Sequence, residues 1–100
     1  MDNADETKVI FRVWKGKDRN VIALFPCVPA DNEGRLCQSY EHVGQHGAAD
    51  YNGVMRRSRL ATPEESKELA EELKGRGYRL NAAKRKTQED DLERWLIRKR

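Results

Sequence analysis

Both histidines, one of the two cysteines and two of the three tyrosines fall within "CQSYEHVGQHGAADYNG", Cys37 to Gly53. Cys27, Cys37, His42 and His46 together read C-x9-C-x4-H-x3-H, four side chains of the types that hold zinc. The His42–His46 interval suits a metal when both imidazoles share one helix face, and Gly44 and Gly47 speak against a helix there. The cysteines also lack a short knuckle spacing. Cys37 or Ser39 as nucleophile, His42 or His46 as base and Asp50 as orienter would supply the residue types of a catalytic triad. On a strand, however, Cys37 and His42 are an odd number of residues apart and point to opposite faces. No nucleophile elbow and no phosphate-binding glycine fingerprint is present. The sequence therefore predicts no catalytic residue, metal or cofactor. Its leading functional reading is recognition, through Tyr40, His42, Gln45, His46, Asp50 and Tyr51, side chains suited to adaptable polar contacts from a loop on a rigid sheet. A small enzyme or zinc-dependent protein built on Cys37, His42, His46 and Asp50 is the alternative.

Elements on either side must position this stretch. "KVIFRVW" alternates Val9, Phe11 and Val13 against Ile10, Arg12 and Trp14, the period of a strand. "VIALFP" supplies a second strand that pairs with the first as a hairpin and ends at Pro26 or lies at an edge. "RLCQSYEHV" reads as a third strand, "GQHGAADYNG" as a loop whose glycines permit positive φ, and "VMRRSRL" as a weak fourth strand. "TPEESKELAEELKGRG" is a helix, with Thr62 as N-cap, Pro63 in the first turn, Glu65 completing a capping box and Leu69, Ala70 and Leu73 as its apolar stripe. "YRLN" is a return strand. "TQEDDLERWLIRKR" repeats the capping logic with Thr87 and places Leu92, Trp95 and Leu96 at i, i+3 and i+4. The expected fold is α+β: a small antiparallel sheet of three to five strands in β-β-β-(β)-α-β order, one packed helix and an appended C-terminal helix. Residues 8–81 form the domain and 82–100 a basic helical extension.

One hundred residues suit one domain. The net charge of +3 conceals a division: residues 1–50 carry six Lys/Arg against eight Asp/Glu, and residues 51–100 carry fourteen against nine. Arg56, Arg57 and Arg59 form the cluster best placed for nucleic acid, although +3 is a weak field for counterion release. The apolar runs are too short to span a membrane, and "MDNADETK" is unlike a secretory leader. These features predict a cytoplasmic protein with reduced thiols.

"VIALFPCVPADNEGRLCQSYEHVGQHGAADYNGV", with "ATPEE" and "ELKGRGYRL" after it, resembles a family of short bacterial proteins associated with bacteriophage and mobile elements. The resemblance covers roughly residues 8–81, and "FPCVPAD" and "CQSYEHVGQHGAADY" are its most distinctive pieces. It implies one compact domain and a mobile-element setting, and it carries over no catalytic residue. The sequence thus favours a small binding or regulatory protein acting on a protein partner, in such a setting an inhibitor or accessory factor. Nucleic acid is the other candidate partner, and Leu92, Trp95 and Leu96 offer a surface for a homodimer.

Overall fold

The computed structural model describes residues 6–16, 20–42 and 45–99, the last two without their side chains. Residues 1–5 and 17–19, Val43 and Gly44 of the opening stretch, and Arg100 lie outside the described residues.

The chain runs β1 (Glu6–Trp14), β2 (Val21–Pro29), β3 (Cys37–Glu41), β4 (Gln45–Ala49), α1 (Tyr51–Arg57), β5 (Ser58–Leu60), α2 (Pro63–Gly75), β6 (Arg79–Ala82) and α3 (Gln88–Lys99). Strand order is β4-β3-β2-β1-β5, and β6 also pairs with β1. The α+β class is as expected, but three parts differ from the sequence reading. The segment read as a loop contains β4, which pairs with β3 from Cys37↔Ala49 to Glu41↔Gln45. The segment read as a fourth strand is mostly α1, with β5 only three residues long. The return strand β6 runs parallel to β1, beside its first half, while β5 is antiparallel to its second half.

Alternation along β1 serves two cores. Val9 and Phe11 pack with Ala23, Phe25 and Tyr40 beneath Leu69 and Leu73 of α2. Ile10 packs on the other side with Ile22, Leu24, Cys37, Ala49 and Val54 of α1. Burial on both faces explains why β1 and β2 read as nearly continuous apolar runs. Pro26 does not end β2. The ladder to β3 is interrupted between Phe25 and Pro29, so a residue without an N–H occupies an irregularity where none is needed.

The expected stripe and caps of α2 are present. Thr62 Oγ1 accepts from the Glu65 N–H at 3.2 Å, and Glu65 Oε1 accepts from the Thr62 N–H at 2.9 Å. At the other end Gly77 has φ +103°, and the Tyr78 and Gly77 N–H groups donate to the Leu73 and Lys74 carbonyls, a Schellman closure. Gly47 and Gly53, expected to supply positive φ, do not; the positive-φ glycines among the described residues are Gly16, Gly34 and Gly77. The value of Gly47 and Gly53 is closeness: a Cβ on Gly47 would meet Ser39 Oγ at 3.2 Å, and one on Gly53 would meet Asp50 Oδ2 at 3.0 Å.

Candidate functional site

The opening stretch is divided between the two faces of the sheet. Tyr40 is wholly buried under α2, where its hydroxyl donates to the Glu72 carboxylate. The other Glu72 oxygen lies 2.7 Å from His42 Nδ1, so one α2 carboxylate holds both residues. His46, opposite Tyr40 on β4, is exposed and meets the Tyr40 ring edge-on at 4.8 Å between centroids. Cys37 instead faces the α1 core, with Asp50 at the α1 N-cap and Tyr51 in its first turn. The Tyr51 hydroxyl accepts from the Lys86 backbone N–H at 3.0 Å and so ties the segment before α3 to α1. Tyr40 thus positions its neighbours from the core and cannot itself meet a partner.

His42 and Gln45 do come together, at the mouth of a cleft of about 560 Å³ shared with Glu41, Glu64, Glu65 and Glu68. This cleft is strongly acidic. It offers an oriented imidazole but no nucleophile–base pair, because Cys37 lies across the sheet and its thiol is pushed up to about 11, chiefly by burial. Among the described residues, no three His, Cys, Asp or Glu side chains gather as metal ligands.

The arginine cluster is largely engaged internally. Arg59 grips Glu65 with two bonds of 2.8 and 2.5 Å, which, with the Thr62 N–H, hold the Glu65 carboxyl down at about 2. Arg57 Nε donates to the Gly53 carbonyl at 3.2 Å, and Arg56 is exposed on α1. A phosphate approaching Arg59 must compete with a bidentate carboxylate already in place.

The least expected surface is on α3. An amphipathic helix ordinarily buries its apolar side. Here the buried residues are Asp90 and Arg94, while Leu92, Trp95, Leu96 and Ile97 are 54, 46, 44 and 43% exposed. Asp90 closes a capping box with Thr87, accepting from its N–H at 2.8 Å, and also accepts from Lys8 Nζ at 2.5 Å and from the Cys27 thiol at 3.1 Å. Burial raises the Asp90 pKa, but these donors outweigh it and the net shift is downward. Its contribution to stability is therefore present above the ordinary carboxylate range and is lost on acidification through its lowered value. Arg94 reaches between β2 and the following turn, donating to the Pro26 carbonyl at 2.5 Å, the Gly34 carbonyl at 2.6 Å and Asp91 at 2.7 Å. Gly34 has φ +75°, and a Cβ there would meet Trp95 Cα at 3.2 Å, so the helix backbone lies directly on the turn.

The polar anchor also silences Cys27. Burial first, then its bond to Asp90, pushes that thiol up to about 12. Both cysteines are therefore protonated at neutral pH. Since their folded pKa values are raised, the stability linked to them is complete below the unfolded thiol range and is lost as the pH rises through about 11 to 12.

Arg94 and Glu72 are what the sequence reading missed. Asp90 and Arg94 stand four residues apart opposite Leu92 and Leu96, a signal that helix-end electrostatics alone absorbed. Among the described residues, no helix is long and apolar enough to cross a membrane. Compared with known proteins, the chain matches no family model, no curated protein and no solved structure.

Proposed function

We infer that this protein is a small cytoplasmic binding module that acts through protein–protein contacts made by the outward side of α3. The supporting observation is the inverted helix: charged residues fix α3 to the domain, and Leu92, Trp95, Leu96 and Ile97 are about half exposed. In a free monomer this arrangement leaves in water apolar surface that the opposite orientation of the helix would cover. The polar stretch around His42, Gln45 and His46 is a second recognition surface in this reading. With the mobile-element resemblance, an inhibitor or accessory factor for a host complex is the concrete form of the proposal.

The test is retention of host proteins on the immobilised chain, compared with the Leu92→Glu, Leu96→Glu double variant. Both positions are exposed, so the variant is expected to keep its circular dichroism spectrum and Tm. Specific partners retained by the parent are expected to be lost with the variant. Equal retention by both proteins contradicts the assignment of the surface.

A further inference from the structure

We propose that the outer edge of β4 takes an extended segment of a partner protein as one more antiparallel strand, with a basic residue at the C-terminal end of that segment. The proposal rests on the reading of His42, Gln45 and His46 as a second recognition surface and names what that surface takes; it does not depend on α3. β4 ends the sheet. β3 lies on one side of it, and on the other side every second residue turns a backbone N–H and C=O outward. Among the described residues no helix is laid along β4, and Gln45, His46, Gly47 and Ala48 are all exposed. The opposite edge of the sheet is closed differently. There β1 is covered by β6 along its first half and β5 along its second, strands of four and three residues that carry Arg79 and Arg59. Edge strands are ordinarily guarded by lysine, proline, a bulge or an inward-pointing charge. "QHGAA" holds no Lys, Arg, Asp, Glu or Pro, and it pairs with β3 through all five residues without a break. What complements such a row of amides and carbonyls is another extended backbone.

Charge selects the occupant. Gln45, the first residue of β4, also borders the acidic cleft of about 560 Å³. In that cleft Glu64 and Glu68 are exposed and have no ion-pair partner among the described residues. A strand added antiparallel to β4, continuing the pattern of β1 to β4, delivers its C-terminal end beside Gln45. A lysine or arginine there has the length and the charge to enter the cleft. Further along β4, a shallow depression of about 450 Å³ beside Gln38, His46 and Ala48 has room for a small side chain of the same strand. A second copy pairing β4 with β4 would bring an uncharged strand to the cleft and leave Glu64 and Glu68 unanswered.

The probe is a short peptide of alternating threonine and valine that ends in two lysines, blocked at both ends; its control ends in two glutamates. Amide hydrogen exchange of the whole chain is followed residue by residue with up to about 1 mM of either peptide, a range that captures weak binding. The lysine peptide is expected to protect the outward amides of β4, and the glutamate peptide to bind several-fold more weakly. The Glu64→Gln, Glu68→Gln variant is expected to close that gap. Ala48→Lys, which supplies the missing guard at an exposed position, weakens the lysine peptide several-fold while the Tm is unchanged. No gain of protection in β4 overturns the proposal, and so does equal binding of the two peptides to the parent. Protection confined to residues 88–99 overturns it as well and assigns the peptide to α3. Protection of β4 that rises with protein concentration alone gives the edge to a second copy and overturns the choice of partner. None of these outcomes bears on retention through Leu92 and Leu96, which the α3 double variant tests by itself.

Discussion

Replacing Arg94 with alanine is expected to cost about 3 kcal/mol, the range for removing one side of a buried charged hydrogen-bond set. The guanidinium reaches the Pro26 and Gly34 carbonyls and Asp91 from a position 7% exposed. Alanine removes the donors to those two carbonyls and with them the main polar link between α3 and β2. For a domain of this size the loss corresponds to a fall in Tm of roughly 12–24 °C. Should the helix release before the sheet unfolds, the global cost is smaller and the effect moves to local opening. Hydrogen exchange across residues 88–99 distinguishes these outcomes, since release removes protection there while β1 and β2 keep theirs. An Arg94→Ala protein with parental Tm and parental α3 protection would mean that the helix is not held by its polar side.

Tyr40→Ala is expected to cost about 4 kcal/mol, in the range for truncating a fully buried aromatic residue. The ring fills the space between β3 and α2, and its hydroxyl positions the Glu72 carboxylate that also bonds His42. Tyr40→Phe separates packing from hydrogen bonding. It keeps the ring and leaves Glu72 its contact with His42, so the cost falls to about 1 kcal/mol. Urea unfolding of the two variants checks both values. Equal costs would place the importance of Tyr40 in its hydroxyl and contradict a packing role.

The well-read elements are those in which local signals and tertiary burial agree. In α2, the Thr62 cap, Pro63, Glu65 and the Leu69–Leu73 stripe all call for one helix against one sheet face, and that is its structure. The β1–β2 hairpin is equally legible, through alternation and proximity. β4 is not, because "QHGAA" is exposed except for Ala49 and has no alternating burial; it is a strand only because β3 supplies a partner. α1 is seven residues long with only Gly53 and Val54 buried, too little to impose a helical period on the sequence. The parallel pairing of β6 depends on where α2 delivers the chain, which no local pattern encodes.

At the candidate site, strand parity correctly separates Cys37 from His42, but no pattern announces Glu72, thirty residues away, as the group holding His42 and Tyr40. The amphipathicity of α3 is plain in the sequence while its orientation is not. The pattern states that two sides differ, and the usual inference about which side is buried fails here because Lys8, Pro26, Cys27 and Gly34 offer a polar seat.

The direction in which α3 faces is tested most directly by the chemistry of a thiol at position 92. Leu92→Cys is treated with a maleimide at neutral pH, and the intact mass is followed. One adduct is expected within minutes at the new, exposed thiol, while buried Cys37 stays unmodified until the protein is unfolded and half-buried Cys27, bonded to Asp90 and held protonated, reacts much more slowly. An introduced thiol as slow as the native ones, or a native Cys27 that reacts first, would show that α3 turns its apolar side inward and would contradict the account.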